Sequence, residues 1–175
     1  MIKKIILGLF AVIIVAVVGL FTINGKDNYD PTKYSAVATN GINIGSKIEF
    51  TLPDQFDKPH SLTNKTKKLI VVFAKSTGHT VKDYLNKQDR NYLIERDTLF
   101  VADISPMPTV IRNTFALPDL RKSPYSVILI YDENISKSLK NKEAEDKIAI
   151  VKLKDKKVID VKYITTTNEL KNQLQ

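Results

Sequence analysis

Apolar positions change their period several times along this chain. Ile5 to Ile23 is an unbroken, uncharged and mostly apolar run of 19 residues. It is apolar all round, unlike a helix that packs one stripe on a core. At about 1.5 Å per helical residue it nearly spans a hydrocarbon core about 30 Å thick. Lys3 and Lys4 precede it, and the positive-inside rule then keeps the N-terminus cytoplasmic. Residues 1–23 are therefore predicted as an N-terminal transmembrane helix. It would cross the inner (cytoplasmic) membrane once and leave the rest periplasmic or extracellular in a bacterium. A cleaved signal peptide is the alternative, and would leave a secreted domain. Its apolar core is usually about 7–15 residues and ends in a small-x-small site, which Leu20-Phe21-Thr22-Ile23 does not supply.

Residues 24–44 are polar and without periodicity, and read as a flexible tether. The folded domain is predicted over 45–175. Lys47 to Leu52 can form a strand, followed by a Pro53-Asp54 turn. Leu69 to Ala74, Thr98 to Ile104 and Tyr125 to Tyr131 are continuous apolar runs, the pattern of strands covered on both faces. Between them, Thr77 to about Glu95 reads as a helix with Val81, Tyr84, Leu85 and Tyr92 on one face. A shorter helix carries Val110, Ile111, Thr114 and Phe115, with Pro106 and Pro108 at its start and Pro118 limiting it. Lys147 to Leu153 and Val158 to Ile164 form a hairpin across Lys154-Asp155-Lys156-Lys157. Thr166 and Glu169 have capping-box spacing ahead of a last helix with Leu170 and Leu174. Strands alternating with helices imply an α/β, three-layer fold. Its central sheet is expected to be mixed and mostly parallel, with helices on both faces.

Composition narrows the chemistry. Cys is absent, so no disulfide, thiolate nucleophile or iron–sulfur centre can form. With two histidines, no metal is expected, because a stable zinc site needs three or four ligands. No cofactor motif is present. Net charge is +8, but its sources are scattered and mixed in sign, as in Lys137 to Lys147. That reads as a solvated surface and not as a nucleic-acid footprint. Weak attraction to anionic lipid remains.

The motifs from Gly45 onward resemble one family. Gly45-Ser46-Lys47-Ile48-Glu49-Phe50-Thr51-Leu52-Pro53-Asp54-Gln55 looks like the opening of the peroxiredoxin and membrane-tethered branch of the thioredoxin-like superfamily. Lys58-Pro59-His60-Ser61-Leu62 and Lys68 to Phe73 resemble its next steps. Tyr125 to Glu133 resembles the inserted strand of that branch, and Ile148 to Val161 its final hairpin. The resemblance implies a thioredoxin-like fold over nearly all of 45–175. It also implies where redox members keep a catalytic Cys: just after the central strand, at the start of the next helix. Here that stretch is Ala74-Lys75-Ser76-Thr77-Gly78-His79-Thr80. The Pro that redox members carry before the hairpin strand is also missing, since Glu145, Asp146 and Lys147 precede Ile148. The resemblance is therefore to cysteine-free periplasmic members of this fold.

Ligands of open α/β sheets gather beyond the carboxyl ends of the strands. The loops Lys75–Thr80 and Asp103–Pro108 should meet there, making Ser76, Thr77, His79, Thr80, Asp103 and Ser105 the candidate ligand- or partner-binding residues. A Ser76–His79–Asp103 hydrolase triad lacks any nucleophile-elbow motif. The plainer reading is helix capping by Thr77, or by Thr80 with Asp83. His60 reads as a surface residue, and Asp132-Glu133 as a turn. The functional expectation is a membrane-anchored, redox-inactive binding or assembly protein with an envelope protein partner. The alternatives are an accessory of a thiol-redox or peroxide-handling system, and an enzyme using no thiol of its own.

Overall fold

The computed structural model describes residues 2–175. Helix α1 spans Ile2–Asn24. Strands β1 (Ser35–Ile42), β2 (Ile48–Pro53) and β3 (Pro59–Ser61) form an antiparallel sheet in that order. A second, five-stranded sheet has the order β6-β5-β4-β7-β8, from β4 (Lys68–Val72), β5 (Thr98–Asp103), β6 (Val127–Ile130), β7 (Ile148–Lys154) and β8 (Lys157–Ile164). β4, β5 and β6 run parallel, while β7 and β8 add antiparallel pairs. The sheet is thus mixed, as expected, with its parallel part confined to three strands.

Alternation along β4 divides the core. Leu69 and Val71 face one cluster, Ile70 and Val72 the other. The second cluster is closed by helices α2 (Lys75–Leu85) and α6 (Thr167–Leu174) through Val81, Leu85, Leu170 and Leu174. The first is closed by the β1–β3 sheet together with α5 (Glu133–Leu139). One face is therefore covered mainly by strands, where helices on both faces were expected. Ile48, Phe50 and Leu52 alternate with exposed or half-exposed Glu49 and Thr51, so β2 buries a face as a strand does.

Three further expectations change. Residues 24–44 are not a tether throughout: β1 pairs with β2 from Ser35↔Thr51 to Ala38↔Ile48. The helix expected to reach Glu95 stops at Leu85, because Asn86 to Asn91 offers no apolar residue to continue its face. Tyr92 still reaches back, its hydroxyl 2.7 Å from that of Tyr84. Asp132 does not mark a plain turn: its side chain accepts from the Asn134 N–H and caps α5. The closing hairpin forms as predicted, with Asp155 and Lys156 both at positive φ, the geometry of a two-residue turn between twisted strands. Thr166 and Glu169 form the capping box of α6.

Strand β6 lies at an edge of the five-stranded sheet, and two residues after β2 protect it. Asp54 bridges Ile128. Gln55, 1% exposed, uses its side-chain amide as a strand would use its backbone. Its Nε2 donates to the Tyr125 carbonyl and its Oε1 accepts from the Val127 N–H, both at 2.8 Å. This satisfies backbone groups that an open edge leaves unpaired.

Over the residues described with their side chains, no helix is long and apolar enough to cross a membrane. The side chains at 2–5, 7, 8, 11 and 20 lie outside that description. The large apolar side chains that are described, among them Phe10, Val15, Val18 and Phe21, are exposed.

Candidate functional site

Beyond the carboxyl ends of β4 and β5 lies a groove of about 390 Å³. One wall is the first two turns of α2, at Lys75, Gly78, His79 and Lys82. The floor is Val72, Phe100, Ala102 and Val127. The opposite wall is an unbroken run of helical turns. It starts as α3 (Thr109–Ile111), widens to a π-helical Arg112–Ala116, and ends as α4 (Leu117–Leu120). Ile111, Phe115, Ala116 and Leu120 point from it into the groove. A π-turn adds a residue to the ring closed by each hydrogen bond and often occurs at functional sites.

The rim is polar and paired. Lys82 donates to Asp119 across the groove. That contact, opposed by slight burial, holds the Asp119 carboxyl below the ordinary carboxylate range. Tyr125 lines the groove, and burial pushes its hydroxyl up. The Ser123 hydroxyl is buried against the groove without a hydrogen-bond partner among the described residues.

The six sequence-derived candidates separate here. His79 and Asp103 both line the groove; Ser76, Thr77, Thr80 and Ser105 do not. Asp103 is already engaged: its Oδ2 accepts from the Ser136 hydroxyl at 2.6 Å and its Oδ1 from the Ser105 N–H at 2.9 Å. No Ser76–His79–Asp103 hydrogen-bond chain exists among the described residues, so the triad does not form. Capping of α2 does not occur either. Its N-cap is Ala74, with no side-chain cap, while the Thr77 and Thr80 hydroxyls donate back to the carbonyls of Ala74 and Ser76. Among the described residues no cluster of acidic or histidine side chains could hold a metal.

His60 is not a free surface residue. Its Nε2 lies 2.9 Å from Oδ2 of Asp54, itself 3% exposed. Burial raises the Asp54 pKa. The His60 contact and the Lys58 and Phe56 N–H groups outweigh it and hold the carboxyl below its ordinary value. Asp57, at φ 63°, closes this turn.

A second constellation gave no sequence signal. Arg112, 3% exposed, places Nη2 2.7 Å from Asp27 and stacks its guanidinium 4.7 Å from the Tyr131 ring centroid. Tyr29 is stacked between Tyr34 and Tyr131, at 5.6 and 4.8 Å. Asn113 donates to the carbonyls of Asn24 and Lys26 at 2.8 and 2.9 Å. The segment after α1 is therefore strapped to the π-helical wall of the groove. These partners across the groove wall are 85 to 102 positions apart in sequence, a separation that no local pattern reports.

No protein-family model matches the chain, and no curated protein matches it. Solved structures do. A Bacteroides thetaiotaomicron protein described as a candidate protein disulfide isomerase superposes with a TM-score of 0.52 at 14% identity, over 81% of this chain and 90% of that one. The thioredoxin domain of a thiol-disulfide oxidoreductase from Bacteroides vulgatus gives 0.46 at 15% identity, over 76% and 99%. A peroxiredoxin-like protein from Aquifex aeolicus gives 0.46 at 12% identity, over 81% and 90%. With its strand order, its parallel β4–α2–β5 unit and its closing hairpin and helix, the chain has the thioredoxin-like fold, without a cysteine anywhere in it.

Proposed function

We propose that this is a membrane-anchored, redox-inactive thioredoxin-fold protein of the bacterial cell envelope that acts by binding, with α1 as its single-pass anchor and the groove beside α2 as its binding surface. One observation carries the reading. At the start of α2, where the resemblance puts a redox thiolate, the chain offers Lys75 to Thr80 and no nucleophilic sulfur. The thiolate is the attacking group in disulfide exchange, so this domain has no reagent for that exchange. What stays at that edge is an apolar concavity in the usual volume range of ligand pockets, about 300–1,000 Å³. The anchor reading is supported by the uncharged run Ile5–Ile23 and by the exposed apolar side chains of α1.

Two measurements test it. Membranes carrying the full-length chain are washed in alkaline carbonate. The chain is expected to stay in the pellet, and its release would remove the anchor. Purified full-length protein is then incubated with insulin and dithiothreitol. Insulin should precipitate no faster than with dithiothreitol alone, and any acceleration over that control would remove the redox-inactive assignment.

A further inference from the structure

Resting on the anchor reading, we infer that the groove takes one acyl chain of a bilayer phospholipid, drawn in past Ile111 and Phe115 while the headgroup stays at the polar rim.

Three observations converge on this occupant. First, the helical run that walls the groove also meets the end of α1. Ile111 and Phe115 line the groove and are 46% and 60% exposed. Val110 and Asn113, on the same run of helix, meet the segment that leaves α1. A Cβ placed on Gly25 would lie 3.7 Å from Val110, and Asn113 holds the carbonyls of Asn24 and Lys26. The Asp27–Arg112 pair fixes that arrangement. A helix ending at a bilayer surface therefore ends against the helical run that walls the groove. Large apolar side chains exposed there would otherwise face water.

Second, the interior suits hydrocarbon. Its floor and far wall are Val72, Phe100, Ala102, Leu120 and Val127. An extended peptide needs partners for its backbone N–H and C=O groups. The edge of strand β6 is already occupied by the Asp54 bridge to Ile128 and by the Gln55 side chain at Tyr125 and Val127. An acyl chain makes no such demand, and on leaving the bilayer it passes from one hydrocarbon surrounding to another.

Third, the charges lie only at the rim. Lys75 and Lys82 stand there with Asp119 and Asp103, and the last two are engaged by Lys82 and by Ser136 with Ser105. A zwitterionic or anionic headgroup can stay hydrated above this rim while its chain enters.

The test uses the full-length chain in nanodiscs of phosphatidylcholine and phosphatidylglycerol, with a diazirine on the sn-2 chain of a tracer phosphatidylglycerol. After irradiation, labelled positions are mapped by mass spectrometry. Label is expected on α1 and on the buried positions Ala102, Ser123 and Val127. Label on Ile111 and Phe115 without any of those three puts lipid outside the groove and overturns the proposal. Gly78→Leu fills the groove from α2. A Cβ at Gly78 meets only Val72, at 3.8 Å, and leaving glycine favours the helix, so the variant should fold; its thermal melt confirms this. Interior label should then fall about tenfold, equivalent to about 1.4 kcal/mol, with α1 label unchanged. Equal interior label in Gly78→Leu overturns the site. Interior label from diazirine-palmitate but not from the phospholipid overturns the bilayer source. α1 labelled without the interior sinks this inference and leaves the anchor standing. The interior labelled without α1 does the reverse.

Discussion

Gln55→Ala is expected to lower the unfolding free energy by about 2–4 kcal/mol, a large share of the stability of a domain this size. Gln55 is 1% exposed, and its side chain satisfies a donor and an acceptor at the edge of the sheet, the Val127 N–H and the Tyr125 carbonyl. Truncation leaves both buried without a partner. A lost partner costs more than a hydrogen bond is worth on balance, because the remaining group has already lost its water. Gln55→Glu is the sharper control. It keeps the acceptor for Val127 and replaces the donor to Tyr125 with a second acceptor, so it should be no better than Ala at neutral pH. Urea unfolding of the three proteins decides the matter. An unchanged midpoint in Gln55→Ala would mean that water takes over the edge of β6 freely.

The second large effect belongs to Asp54. Asp54→Ala removes the acceptor for the Phe56 and Lys58 N–H groups and the partner of His60. A loss of about 2–4 kcal/mol at pH 7 is expected, because a buried carboxylate loses two N–H contacts and its His60 partner at once. The same group makes the native domain acid-sensitive, and the sign follows from the direction of its shift. Its folded pKa lies below the ordinary value of 3.8. Its ionised form is thus favoured by folding, and its contribution is complete above that value. It is lost as pH falls through the folded pKa. The gap between wild type and Asp54→Ala should therefore be widest near pH 7 and narrow below about pH 4. Unfolding midpoints at pH 7 and pH 3 that differ by the same amount would show that Asp54 acts through packing alone.

Both predictions concern a segment, Pro53 to His60, that the sequence presented as a turn and a surface histidine. Its place in a thioredoxin-like opening was legible from Gly45 to Gln55. The work of its side chains was not, because Asp54 acts on His60 within its own hairpin while Gln55 acts on a strand 70 residues away. The candidate site shows the same division. The strand–helix order located the groove, and His79 and Asp103 do line it. Its far wall came as a helix from the spacing of Val110, Ile111, Thr114 and Phe115, but the π-turn within it carried no signal. Thr77 and Thr80 hydroxyls looked like caps because their residue types favour caps. The helix instead starts at Lys75, and both hydroxyls fold back onto carbonyls within the first turns.

The sequence alone determined what depends on neighbours in the chain. It set the continuous apolar runs that had to be buried strands, the α6 capping box and the β7–β8 turn. It also set the absence of any thiol, which no fold can supply. Only the tertiary structure decided which elements cover each face of the sheet. It decided too that Ser35–Ile42 becomes a strand, and that Arg112 straps the segment after α1 to the groove. Those outcomes depend on partners supplied by distant segments. Ser35–Ile42 is half-polar and gains its hydrogen bonds only when β2 lies beside it. Arg112 can be buried only because Asp27 and Tyr131 arrive together to offset the loss of water from its charge.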